Sequence, residues 1–121
     1  MNTLYLMLDE KRDYALFKVG FATDLNKRLY AYTTHNPEVQ CISTVRTQLA
    51  SGRNVEKMFH SEIEKRGYQF VTAIIDGKRT EWFKVPYSDP FFGELSAKGL
   101  NAFRCGKNRK NYGTFTIKIK G

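Results

Sequence analysis

Five polar side chains along this sequence have the types needed for chemistry on a phosphate ester. They are Tyr5, Lys18, Arg28, Glu56 and His60. A carboxylate can ligate a divalent cation, a planar guanidinium can hold two phosphate oxygens, and an imidazole can transfer a proton near neutral pH. Apolar segments separate these residues, so they form a site only if the fold brings them together.

Glu56 and His60 carry the strongest chemical signal. Their separation of four residues places both on one face of a helix, beside an apolar stripe of Val55, Phe59 and Ile63. Glutamate is a suitable ligand for Mg2+, which keeps several waters and needs only one or two protein carboxylates. We therefore expect Glu56 to be the single metal ligand. The alternative is an exposed pair that adds roughly a few tenths of a kcal/mol to the helix.

Arg28 follows Leu25 by three residues and precedes Tyr32 by four, which places it at the margin of the buried stripe of a first helix. From there its guanidinium can reach into a cleft and hold a phosphate oxygen. A surface arginine without function is the alternative, because it would show the same spacing.

Tyr5 and Lys18 lie on the two strands of a predicted hairpin. A four-residue loop over 10–13 would pair Tyr5 directly with Lys18 and put both side chains on one face of the sheet. The alternative is that Tyr5 is only a core residue.

Hydrophobic periodicity and turn residues define the elements that position these residues. They predict a small mixed α/β domain with a central, mainly antiparallel sheet flanked by helices. The predicted order is strands over 4–8 and 14–19, a helix from 23 or 24 to just before Pro37, a strand over 39–47, a helix over 52–66, and strands over 70–75 and 80–85.

Positive charge is concentrated at the end of the chain. All 12 acidic residues lie at or before Glu94, whereas the remainder carries seven lysines and arginines. A one-signed segment suits a polyanion, because each neutralised phosphate releases counterions. We therefore divide the chain into a domain over 1–94 and a basic extension over 95–121, and expect the extension to bind nucleic acid. Its candidate nucleic-acid-binding residues are Arg104, Lys107, Arg109, Lys110, Lys118 and Lys120.

The order of these residues resembles the GIY-YIG nuclease superfamily, particularly its compact, phage-associated branch. The resemblance covers roughly 4–85 and rests on Tyr5, Lys18-Val19-Gly20, Arg28, Glu56 and Glu81-Trp82-Phe83. It implies a metal-dependent endonuclease in which Glu56 binds Mg2+, Arg28 and Lys18 hold the phosphate, and Tyr5 or His60 assists proton transfer. Lys18 departs from the superfamily, which has tyrosine there, and would act as a base only if desolvation lowered its pKa.

We expect DNA rather than RNA as the substrate. Two other functions stay open: a nucleic-acid-binding module that has lost catalysis, and an inhibitory module that contacts another protein. No apolar run approaches the roughly 20 residues that span a bilayer, so no membrane partner is expected and we predict a cytoplasmic location, the host cytoplasm if a phage encodes the chain. The sequence predicts no particular oligomeric state.

Overall fold

A six-stranded antiparallel sheet forms the centre of the computed structural model, which describes residues 2–47, 52–75, 77–103 and 115–119. The elements in chain order are β1 (Asn2–Glu10), β2 (Tyr14–Ala22), α1 (Leu25–His35), β3 (Gln40–Thr47), α2 (Gly52–Lys65), β4 (Phe70–Ile75), β5 (Lys78–Pro86), α3 (Pro90–Lys98), a 3-10 turn (Gly99–Phe103) and β6 (Phe115–Ile119).

The strand order across the sheet is β4-β5-β2-β1-β3-β6, and every neighbouring pair is antiparallel. The predicted fold class is therefore confirmed. Local signals explain the agreement. The Asp24 carboxylate caps α1 by accepting from the amide of Lys27 at 3.1 Å, and Gly67 and Gly77 adopt the positive φ values of 86° and 74° that end α2 and turn the β4-β5 hairpin.

The register of the first hairpin differs from the predicted one by two residues. Tyr5 pairs with Gly20, and Lys18 pairs with Met7. A shift of two preserves the side-chain alternation, so Tyr5 and Lys18 still share a face as diagonal neighbours. The second strand also continues through Gly20 to Ala22 instead of ending at the glycine.

A bulge in β3 changes which of its residues share a face. Leu6 pairs with Ser43 and Met7 pairs with Cys41, so Ile42 has no partner in β1. Because the bulge adds one residue, Cys41 and Ser43 lie on opposite faces of the sheet. The alternation of a regular strand, which would put both residues on one face, is therefore broken at this point.

The sheet separates two hydrophobic cores. The larger core joins β-strand residues such as Leu6 and Phe83 to α2, α3 and the 3-10 turn. The smaller core consists of Tyr5, Met7, Ala22, Tyr32, Val39 and Trp82, with α1 packed over it. Trp82 and Phe83, adjacent on β5, thus lie in different cores. Both are at most 2% exposed, so neither ring is available to stack on a base.

Residues 95–103 pack into the larger core through the buried side chains of Leu95, Leu100 and Phe103. The boundary placed after Glu94 falls inside α3, which starts at the Asp89 cap and ends at Gly99. Gly99 is required because its φ is 58° and an added Cβ would lie 2.4 Å from a side-chain oxygen of β3. This part of the predicted extension therefore contributes to the folded domain.

Candidate active site

The sheet opens beside the second half of β2. β2 pairs with β5 only from Tyr14 opposite Pro86 to Phe17 opposite Phe83, although β2 continues to Ala22. Within the described residues, the segment after Phe17 has β1 on one side and no strand on the other. Side chains from the helices can therefore approach this segment.

Tyr5 lies across Gly20 at this opening. A Cβ added to Gly20 would lie 2.2 Å from both the Cζ and the Oη of Tyr5, which is closer than atoms can approach. Only glycine therefore leaves room for the tyrosine ring. This contact gives the Tyr5 and Lys18-Val19-Gly20 pattern a structural cause: the glycine in the second strand accommodates the tyrosine of the first.

Two tyrosine hydroxyls meet next to Arg28. The rings of Tyr5 and Tyr32 are 6.3 Å apart and tilted edge to face, and each is 1% exposed. Burial raises the pKa of both phenols, while Arg28 opposes the increase. Both hydroxyls are consequently neutral at ordinary pH and can donate hydrogen bonds. The Tyr32 hydroxyl interacts with Tyr5 but has no hydrogen bond of good geometry within the described residues.

Lys18 is a buried cation, with 9% of its surface exposed. Desolvation lowers the pKa of its ammonium group. Glu56 opposes this shift and Arg28 adds to it, while Glu81, an exposed residue of β5, opposes it more weakly. The condition under which Lys18 could act as a base, a pKa lowered by desolvation, is therefore present in the structure.

Glu56 and His60 approach the same opening from α2, and both are half-buried. The Glu56 carboxylate raises the pKa of Lys18 and of Tyr5, so it lies within electrostatic reach of both. The His60 Nε2 lies 3.4 Å from the carbonyl oxygen of Val19. A carbonyl only accepts, so this bond requires Nε2 to carry the proton. His60 thereby fastens α2 to the open side of β2.

The structure thus brings Tyr5, Lys18, Arg28 and Glu56 into one electrostatic cluster, with His60 bonded beside it. The cluster also contains Tyr32, which the sequence indicated only as a member of the apolar stripe. Its position four residues after Arg28 was the available signal, because that spacing puts both on one side of a helix. Lys118 lies in β6 opposite Thr44, which in turn pairs with Tyr5. The other basic candidates, Arg104, Lys107, Arg109, Lys110 and Lys120, lie outside the described residues.

A single carboxylate is the donor that this cluster offers to a metal ion. Among the described residues, no group of three or more His, Cys, Asp or Glu side chains is placed to hold a metal. Glu56 alone fits Mg2+, which keeps most of its waters and takes further oxygens from substrate phosphates. It does not fit a tightly held structural ion such as Zn2+, which needs about four protein ligands.

Comparison with known protein families identifies the chain. The model of the T5orf172 domain matches residues 2–90, from β1 to the start of α3. The chain belongs to the T5orf172 domain family. This phage-associated domain occurs in nuclease contexts, and the matched range contains the five residues of the cluster and His60. No curated protein and no solved structure matches this T5orf172 domain. None of its described helices is both long and apolar enough to cross a membrane.

Proposed function

We propose that this T5orf172 domain is a metal-dependent endonuclease that hydrolyses phosphodiester bonds of nucleic acid, with DNA as the substrate. The observation that carries the proposal is the position of Glu56. Its carboxylate acts from α2 on a buried cation, Lys18, and on a neutral phenol, Tyr5, which belong to two different strands. A carboxylate, cations and hydrogen-bond donors around one opening are the groups that phosphodiester hydrolysis needs.

Each residue has a role that follows from its environment. The Arg28 guanidinium, exposed at the rim, holds phosphate oxygens. The neutral hydroxyls of Tyr5 and Tyr32 donate hydrogen bonds to charge that develops on the phosphate. Glu56 would hold Mg2+, which would supply polarisation of the phosphate and stabilisation of the leaving oxygen.

Lys18 is positively charged when protonated, and its neutral amine form is the group best suited to accept the proton of the attacking water. Its lowered pKa brings it nearer to working pH, whereas the raised pKa of Tyr5 makes a phenolate base unfavourable. His60 donates a hydrogen bond from Nε2 to the carbonyl oxygen of Val19 and so holds the strand that carries Lys18. In this scheme Tyr5 contributes hydrogen bonding, not proton abstraction.

The test is cleavage of labelled single- and double-stranded DNA and RNA, in Mg2+ or EDTA, by the wild type and by Glu56→Gln. Glu64→Gln is the matched control, because Glu64 lies on the same helix and is exposed. We expect Mg2+-dependent cleavage of DNA, a loss of at least about 100-fold in Glu56→Gln, as removal of a key electrostatic group causes, and wild-type rates in Glu64→Gln. Equal cleavage by both variants would refute the role of Glu56.

A second function on the same fold is a nucleic-acid-binding or inhibitory module without catalysis. The specific observation in its favour is Lys18, which supplies positive charge where the superfamily that the chain resembles has a phenol. Binding of DNA that depends on salt, with no cleavage in Mg2+, would establish the binding module. Absence of nucleic-acid binding at low salt would favour the inhibitory one.

A further inference from the structure

A groove runs between the start of α1 and the β4-β5 hairpin. It has a volume of about 250 Å3 and is lined on the helix side by Asp24, Lys27 and Arg28 and on the hairpin side by Lys78 and Thr80. Pockets for drug-sized ligands have volumes of roughly 300–1,000 Å3. This groove is smaller, so it suits one compact polar group.

The groove carries unbalanced positive charge. Lys27, Arg28 and Lys78 form no ion pair within the part of the chain that the structure describes. Among the described residues that line the groove, Asp24 is the only acidic one, and its Oδ1 accepts a hydrogen bond from the amide of Lys27. The described lining therefore has three positive charges and one negative charge, and this balance favours an anionic ligand.

A further feature of the groove points to an anionic ligand. It is not the N-terminus of α1, because the Asp24 cap already offsets the positive end of the helix dipole there. Tyr32 lines the groove, and its buried hydroxyl makes no hydrogen bond of good geometry within the described residues, although Tyr5 and Arg28 lie close to it. Buried polar groups usually have a partner, and a bound oxyanion would supply one.

Arg28 and Tyr32 belong both to this groove and to the catalytic cluster, so the two are continuous. We propose that the groove holds the phosphate next to the cleaved one on the same nucleic-acid strand, with Lys27 and Lys78 as its binding residues. This inference rests on the proposed nuclease function. It adds that the domain contacts at least two consecutive phosphates of one strand.

The salt dependence of binding measures this contact without cleavage. The affinity for a short single-stranded DNA is measured by fluorescence anisotropy in EDTA at several NaCl concentrations. We expect the variant Lys27→Gln/Lys78→Gln to bind several-fold more weakly at low salt. The slope of log affinity against log salt should fall by roughly 0.7, the contribution of one phosphate contact on a single strand. Both lysines are exposed, so the variant should fold normally.

Lys57→Gln/Lys65→Gln is the matched control, because it removes two exposed positive charges from α2, outside the groove. An equal loss of slope in both variants would overturn the proposal, since net charge alone would then explain binding. A deoxynucleoside monophosphate that binds as tightly as the strand, with the same dependence on Lys27 and Lys78, would overturn it in favour of a nucleotide pocket.

The failure of this proposal is distinguishable from the failure of the nuclease function. Suppose that Glu56→Gln loses cleavage while the two lysine variants have identical salt slopes. The proposed nuclease function would then stand, and the proposed phosphate site in the groove would be rejected. Absence of DNA binding by the wild type at low salt would reject both.

Discussion

Replacing Gly20 by alanine tests the contact that positions Tyr5. The new Cβ would lie 2.2 Å from the ring, whereas ordinary van der Waals contact begins at 3.4 Å, so the ring would have to retreat by more than an ångström. It has little room to do so, because it is 1% exposed and packs against Tyr32. Overpacking of this kind costs about 1–3 kcal/mol.

Gly93→Ala is the control, because Gly93 lies in α3 with nothing within 4 Å of an added Cβ. Alanine is a better helix former than glycine, so this variant should be stabilised by roughly 0.5–1 kcal/mol. Urea unfolding gives both values. In a Tyr5→Leu background the cost of Gly20→Ala should fall below about 0.5 kcal/mol, because the ring that it strikes is gone. Equal stabilities of Gly20→Ala and Gly93→Ala would refute the close contact.

Two further predictions concern the buried Lys18 and the segment 95–103, which includes the end of α3. Lys18→Met should abolish DNA cleavage yet raise the free energy of unfolding by roughly 1–4 kcal/mol at pH 7, as when buried charges are replaced by apolar groups. The pKa of Lys18 is lowered in the folded state, so the stability gained by Lys18→Met is complete below that folded pKa. The gain shrinks as the pH rises from the folded pKa toward 10.5, the ordinary pKa of lysine. Urea unfolding at pH 7 and at pH 10 measures this change. A gain that grows with pH would contradict the lowered pKa. Leu95→Ala should lower the unfolding free energy by about 2–5 kcal/mol, because Leu95 is fully buried in the larger core, whereas exposed Lys98→Ala should change it by less than about 0.5 kcal/mol. Equal effects of these two variants would place 95–103 outside the cooperative unit.

The order of the elements up to β5 was predictable because each boundary has a local cause. The Asp24 cap, the glycines at positive φ and the apolar spacing of the helices all act within a few residues. α3 has equally local signals, since Asp89 and Pro90 open it and Gly99 ends it. It was missed because the change of charge after Glu94 was given more weight than these caps.

Register and face assignment depend on contacts that the sequence does not display. The one-residue bulge at Ile42 occurs where β3 pairs with β1. The two-residue shift of the first hairpin agrees with its tight turn, in which the Lys11 amide donates to the Tyr14 carbonyl at 2.9 Å. The candidate site residues were found from residue type and order. Their electrostatic contact depends on where β2 leaves β5, which follows from the packing of the whole sheet. The lysine of the groove on the hairpin side, Lys78, is likewise about 50 residues from Lys27 and joins it only through tertiary structure.

The division of the interior into two cores has a consequence for the evolution of the sequence of this domain. The larger layer, with α2, α3 and the 3-10 turn, holds most of the buried apolar side chains, while the layer beneath α1 is small and contains Tyr5 and Tyr32 of the polar cluster. The sheet backbone is the partition between them, so a substitution on one side leaves the packing on the other side intact. Chemistry at positions such as Lys18 can therefore diverge among related chains while the same scaffold persists.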